Sequence, residues 1–290
     1  MRLNEINIRD PFILPYEGKY YMYGTRVQKP YPGADWGEQT GFDVYISNDL
    51  EDWSEPQSVF EVPESFWATK EAWAPEVHFF NERFYMLATF CADNGKRATQ
   101  ALVADSPRGP FQVFGEPLTP SDWVCLDGTL YVEDGVPYLV FSHEWLQVDD
   151  GEIAMIQLKQ DLSAAVGEPK ILFNASESGW ADAIHKEDKI VYVTDGPWIV
   201  KEDNQLFMFW SSFYKEFYAE GIAISESGKI AGPWKHSKQL LFDKDGGHGM
   251  LFQDFSGRKY FALHRPNNAL FERPHFFEVE KTIEGYQLKK

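Results

Sequence analysis

The chain has 290 residues, with 27 Lys and Arg against 45 Asp and Glu, a formal charge of −18 and a pI near 4.8. That length suits one large domain with a sizeable core, and 43% hydrophobic residues is too many for a disordered chain. The acidic balance argues against nucleic acid or an anionic membrane surface as a partner, because both would repel it.

No run of about 18 consecutive apolar residues exists, so no membrane-spanning helix is expected. The start, MRLNEINIRDPFILP, lacks an apolar run followed by a small-residue cleavage site, which leads us to expect a cytoplasmic protein. The two cysteines, Cys91 and Cys125, show no metal-site spacing and read as free thiols. Aromatic residues reach 16%, with 10 Trp, 14 Tyr and 23 Phe. Such content suits strands, and Trp near loops suits sugars, whose flat apolar faces stack on rings.

Taken in chain order, the elements repeat one design. A strand at 10–15 (DPFILP) leads through Tyr16-Glu17-Gly18 into GKYYMYGT at 18–25. EVHFF at 76–80 leads into ERFYMLATF at 82–90, and DGTLYV at 127–132 into GVPYLVFSH at 135–143. DGPWIV at 195–200 leads into NQLFMFWSS at 204–212, and HGMLF at 248–252 into GRKYFALH at 257–264. Each pair reads as a β-hairpin. A second recurrence, SNDLEDWSEP at 47–56, ADSPRGPF at 104–111 and SESGKIAGPW at 225–234, reads as a turn into an outer strand. Helical periodicity is scarce, and 22 glycines and 17 prolines punctuate the chain. The whole predicts an all-β fold: a single domain over 1–290, a five-bladed β-propeller with four-stranded blades around a central channel. Residues 275–290 read as a closing outer strand that completes the first blade.

Aligned on the hairpins, the first strands begin at Asp10, Glu76, Asp127, Asp195 and His248. In a propeller these positions would form one ring at one end of the channel. Clustered carboxylates serve either metal binding or glycoside hydrolysis, in which one acts as base, one as acid and a third tunes a pKa. Trp67, Trp73, Trp145 and Trp198 lie near the ring positions, and a rim of aromatics favours a sugar over a bare metal.

At these residues the sequence resembles glycoside hydrolase family 43. The segments that carry the resemblance are RDPFIL with GKYYMYGT, WAPEVH, LDGTLYV, the SHEW segment, TDGPWIV and GGHGMLF, spanning about residues 5–270. The resemblance implies a five-bladed propeller that hydrolyses glycosides with inversion. It implies Asp10 as general base and Asp127 as the carboxylate that raises the acid's pKa. The family's acid is usually Glu in a Glu-Gly-Pro motif; here Asp195, one methylene shorter, takes that place, with Glu144 as the alternative donor. His248 is matched to a His that contacts a central cation through water, so a structural Ca2+ in the channel enters as an expectation, with no cofactor required for turnover. Glu76, Trp73, Trp145 and Arg265 are expected around the substrate, Arg265 paired with a channel carboxylate. Asp35-Trp36-Gly37 would close one wall.

The resemblance therefore implies an exo-acting hydrolase that releases terminal α-L-arabinofuranosyl residues from small oligosaccharides. β-D-Xylosidase and β-D-galactofuranosidase activities, and a non-catalytic sugar-binding propeller, are the alternatives.

Overall fold

The computed structural model describes residues 1–27, 40–186 and 188–289. Blade 1 holds β1 (Ile8–Tyr16), β2 (Lys19–Arg26), β3 (Gly41–Ser47) and β4 (Gln57–Glu61). Blade 2 holds β5 (Lys70–Phe80), β6 (Arg83–Cys91), β7 (Arg97–Ala104) and β8 (Gln112–Pro117). Blade 3 holds β9 (Cys125–Glu133), β10 (Val136–His143), β11 (Glu152–Leu158) and β12 (Ala165–Asn174), with a one-turn helix α1 (Trp145–Val148) after β10. A separate hairpin, β13 (Ile184–Lys186) and β14 (Lys189–Val191), precedes blade 4. Blade 4 holds β15 (Asp195–Glu202), β16 (Gln205–Tyr214), β17 (Phe217–Ser225) and β18 (Lys235–His236). Blade 5 holds β19 (Gly247–Gln253), β20 (Lys259–Arg265), β21 (Arg273–Thr282) and β22 (Gly285–Leu288).

Every blade is an antiparallel meander in chain order. The first strands touch one another around a closed circuit: β1 meets β5, β5 meets β9, β9 meets β15, β15 meets β19, and β19 returns to β1. These five strands line the channel, so the expected five-bladed propeller is the observed fold.

Local chemistry explains the hairpins. In four of them the two turn residues both have positive φ: Glu17 and Gly18, Asn81 and Glu82, Asp134 and Gly135, Asp203 and Asn204. This is the turn whose twist matches the flanking strands, and Gly, Asn and Asp tolerate it best. The fifth hairpin uses a longer loop between Gln253 and Lys259. The apolar residues of the strands pack between neighbouring blades. Tyr23, Phe42 and Phe90 are fully buried in one such layer, Trp210 and Met208 in another. Cys91 and Cys125 are free and buried, and burial pushes the Cys91 thiol up to about 11.

The expected closing strand is corrected. Residues 275–290 supply most of β21 and β22, which finish blade 5, while blade 1 takes its outer strand from its own residues 57–61. With that edge already paired, the ring closes through packing of β1 on β19, β20 and β21. The Asn7 side-chain amide donates to the Glu272 carbonyl at 2.6 Å across this seam, and Arg273 donates to the Asn4 carbonyl at 3.0 Å.

Candidate active site

All five inner strands carry a bulge near their start, where two residues oppose one on the second strand. The pairs are Asp10-Pro11, Ala74-Pro75, Asp127-Gly128, Gly196-Pro197 and His248-Gly249. The first residue of each adopts positive φ: 52° at Asp10, 47° at Ala74, 57° at Asp127, 53° at Gly196 and 48° at His248. For a residue other than glycine this backbone costs roughly 1 kcal/mol or more, and such strain gathers at functional sites.

The bulge corrects the register expected from the sequence. Asp10, Asp127 and His248 are equivalent. Asp195 stands one residue earlier, paired with Ser211, and Gly196 takes the bulge. Glu76 stands two residues beyond its bulge, paired with Leu87, and Ala74 takes that place. A bulge shifts the two-residue alternation of a strand, so an alignment by residue type slides past it.

A ring of hydrogen bonds fixes these bulges. The Ala74 N–H donates to Thr25 Oγ1 at 2.7 Å, that of Asp127 to Thr89 Oγ1 at 2.8 Å, and that of His248 to Ser211 Oγ at 2.7 Å. The Asp10 N–H donates to His264 Nδ1 at 3.2 Å. In each case the acceptor sits on the second strand of the preceding blade. Blade 4 breaks the rule: the Gly196 N–H donates to Asp127 Oδ2 at 3.0 Å, and the corresponding Ser142 Oγ is buried without a partner.

The three aspartates are all buried or nearly so, yet differ in environment. Thr25 Oγ1, already accepting from Ala74, donates its own proton to Asp10 Oδ2 at 2.6 Å. Asp10 Oδ1 lies 3.3 Å from His248 Nδ1, 3.3 Å from His264 Nδ1 and 3.9 Å from Arg9 Nε. Burial opposes its ionisation, but His248, the largest opposing influence, and the Arg9 charge hold the carboxyl below the usual range. Arg9 is itself anchored by Glu272 at 3.2 Å. Asp127 is pushed the other way, first by burial and then by the charge of Asp10. Asp195 is pushed up to about 7 by burial and by Asp127, against His248 and the Tyr218 hydroxyl, which donates to Oδ2 at 2.9 Å. Asp127 and Asp195 thus form a like-charged pair that retains a proton near neutrality.

A cavity of about 350 Å³ opens over these groups. Arg9, Trp73, Leu126 and Asp195, the residues just before four of the bulges, line it together with Asp10, Asp127 and His248. Trp145 of α1, Phe213, and Ile184 and Lys186 of β13 add to its walls. Of the residues singled out from the sequence, Asp10, Asp127, Asp195, Glu144, Trp73, Trp145 and His248 line this cavity.

It does not bring in the rest. Glu76 is not among the lining residues; its carboxylate pairs with His78 at 3.0 Å, beside Trp198 and Phe12 in the channel. Arg265 is not among them either; its guanidinium lies over the Phe242 ring at 5.5 Å, and Arg9 is the arginine beside a channel carboxylate. Trp67 donates to Gln100 at 3.1 Å inside the blade packing, and Trp198 packs against Phe12. Asp35-Trp36-Gly37 lies outside the described residues.

Glu144 accepts from Arg97 at 2.6 Å, and Arg97 also holds Glu71 at 2.7 Å and lies 5.0 Å over the Trp73 ring. Burial raises Glu144 against this guanidinium.

The expected channel calcium does not fit these side chains as a direct ligand set. Calcium takes six to eight oxygens. Among the described residues no group of three or more His, Cys, Asp or Glu is arranged to hold a metal, and His248 Nδ1 faces Asp10 and Asp127, at 3.3 and 3.6 Å.

Sequence reasoning missed Thr25, Arg97, Tyr218, Glu220 and His264. Their hairpins were legible. Their roles were not, because they sit on second and third strands, and what they face is set by pairing across the sheet and by the neighbouring blade.

The chain matches the family described as glycosyl hydrolases family 43 over residues 4–283. Its fold superposes with a TM-score of 0.89 on a solved endo-arabinase from Bacteroides thetaiotaomicron VPI-5482, at 37% identity over 98% of both chains. A beta-D-galactofuranosidase from Aspergillus niger is 23% identical over 88% of this chain and 73% of its own. An extracellular endo-alpha-(1->5)-L-arabinanase from Bacillus subtilis is 25% identical over 88% of this chain, which spans 56% of that relative's length.

Proposed function

The chain belongs to glycosyl hydrolase family 43 and is a glycoside hydrolase acting on O-glycosyl bonds; from that premise we propose that it is an inverting, exo-acting enzyme that releases terminal α-L-arabinofuranosyl residues from small oligosaccharides. The observation that carries the acid–base part of the reading is the divergence of two aspartates in one cavity, while the sugar and the exo mode rest on the resemblance to the family. Asp10 is held below the usual carboxylate range and Asp195 is raised to about 7. A pair of titratable groups pushed apart in this way is suited to base and acid.

In the proposed cycle Asp10 takes a proton from water as the water attacks the anomeric carbon. The bond from that carbon to the leaving oxygen breaks, and its electron pair is protonated by Asp195. Asp127 keeps the acid protonated by like-charge repulsion and is itself oriented by the Gly196 N–H. Glu144 is the weaker candidate for the acid, because its Oε2 is engaged by a guanidinium. The chemistry needs two carboxyls and water, and no cofactor. Trp73, Trp145 and Phe213 supply apolar faces for a sugar ring.

A panel of p-nitrophenyl glycosides tests the reading, with Asp10→Asn as control and NMR of the first-formed anomer. Release from the α-L-arabinofuranoside with inversion, lost in the variant, supports it; a first-formed anomer of retained configuration overturns it. A second reading, endo action on α-1,5-arabinan, is favoured by the 37% identity to a solved endo-arabinase. Larger oligosaccharides as the first products from linear arabinan would select it.

A further inference from the structure

β17 is the third strand of blade 4, one removed from the channel-lining pair, yet Tyr218 on it reaches the cavity. Its ring is only 2% exposed and is held on three sides. It lies parallel to His264 at 5.6 Å with an interplanar angle of 20°, and Phe213 packs against it at 5.6 Å. On the third side is the bare backbone of Gly247, where an added Cβ would come within 2.7 Å of the ring. The ring has one position, so its hydroxyl has one place.

That place is 2.9 Å from Asp195 Oδ2. The phenol remains a donor throughout the working pH range, since burial and the nearby Asp195 charge push its pKa well up. Asp195 has a short side chain, and it stands one residue before the bulge, outside the backbone hydrogen bonds that fix Asp10 and Asp127.

Building on the acid role proposed above, we infer that Tyr218 is a positioning residue that confines the acid proton of Asp195 to Oδ1. With Oδ2 accepting from the phenol, Oδ1 carries the hydrogen. As Oδ1–H breaks and the leaving oxygen takes the proton, the negative charge left on the carboxylate is met at Oδ2 by the same O–H. The hydrogen bond is therefore stronger in the transition state than before it, which is the condition for it to accelerate the step.

The test compares the wild type with Tyr218→Phe, which keeps the ring and removes only the hydroxyl. The substrates are α-1,5-arabinobiose, whose alcohol must be protonated to leave, and 2,4-dinitrophenyl α-L-arabinofuranoside, whose phenolate needs no acid. Xylose or galactofuranose equivalents are used if the panel returns that sugar. We expect kcat/KM to fall about tenfold or more on arabinobiose and less than about threefold on the dinitrophenyl substrate. The basic limb of the arabinobiose profile should move up by roughly one pH unit, because a donor to the charged carboxylate has been removed. Equal losses on both substrates with an unmoved limb would show a merely structural role and overturn the inference.

Asp195→Ala separates this result from the premise. If that variant retains full turnover of arabinobiose, the acid assignment fails. If it is inactive on arabinobiose while Tyr218→Phe is unchanged, only the inference fails. In the Asp195→Ala background Tyr218→Phe should have no further effect on the dinitrophenyl substrate, and a further loss there sinks it whatever the variant's melting temperature.

Discussion

Blades 1 and 4 start with closely similar segments, Arg9-Asp10-Pro11-Phe12 and Asp195-Gly196-Pro197-Trp198, and hold their aspartates in opposite environments. In blade 1 the aspartate is the bulge residue, at φ 52°, with its N–H fixed by His264 and its carboxylate beside Arg9 and His248. In blade 4 the aspartate precedes the bulge, and glycine takes the positive φ. It meets Asp127, which raises it, and the Tyr218 phenol, with His248 opposing the rise. The same carboxyl is thereby kept ionised in one blade and protonated in the other. The offset of one residue, more than the residue type, sets the two environments apart.

The comparison breaks most visibly at Asp10. Asp10→Asn should lower kcat on an oligosaccharide by about 10³-fold, within the range general base catalysis supplies. Retained turnover would remove the base from blade 1. Asp127→Asn should come next, with a loss of about 10²-fold and a telling change in the pH profile. With Asp195 as the proposed acid, pushed up to about 7, the wild-type basic limb should lie near neutrality. Asp127 and Asp195 share one proton, and Asn at 127 removes the repulsion the pair feels when both are ionised, so the acid loses its proton earlier and the limb moves to lower pH. A limb that stays in place would mean that Asp127 does not set the acid.

A smaller effect is expected one blade away. Arg97 ties Glu71 and Glu144 together and covers Trp73. Arg97→Met should loosen that wall and raise KM several-fold, with kcat changed less than about threefold. A loss confined to kcat, with KM unmoved, would instead place Glu144 in the chemistry.

Much of this was legible in the sequence, because a hairpin is a local object. The turns at Glu17-Gly18 and Asp134-Gly135 and the alternating strands beside them announce themselves, and five copies announce a propeller. Asp10, Asp127 and Asp195 were legible as a convergent set for the same reason. The one-residue displacement of Asp195 and the two-residue displacement of Glu76 were not, since a bulge is set by pairing with the second strand. The pairing with a channel carboxylate expected of Arg265 falls to Arg9, because the fold turns Arg265 toward Phe242. Tyr218 and Glu220 were invisible for a third reason: from the third strand of blade 4 they reach Asp195 and Ser211 on its inner strands, and Gly249 of blade 5, contacts that no local pattern encodes.

Glu220 sharpens the comparison at its quiet end. It is fully buried two residues beyond Tyr218 on β17. Oε2 accepts from Ser211 at 2.6 Å and from the Gly249 N–H at 3.3 Å, and Oε1 has no partner. Burial pushes it up to about 8, with Asp195 adding to the rise against Ser211 and Gly249. A free glutamate titrates near 4.3, so between that pH and about 8 the folded chain holds a proton that the unfolded chain has released. Stability must then fall as pH rises through that window, by up to about 1.4 kcal/mol per pH unit for this one group. Asp195 adds a slope of the same sign up to about 7. Asp10, held low, has the opposite sign, and its contribution is fully present above the pH where a free aspartate ionises. Glu220→Gln keeps the shape and removes the titration. Melting measured from pH 5 to pH 8 should therefore fall less steeply in the variant than in the wild type, by roughly 2 °C for each kcal/mol removed from the slope. Parallel curves would mean that Glu220 is ionised in the fold, and that blade 4 does not owe its protonated character to burial.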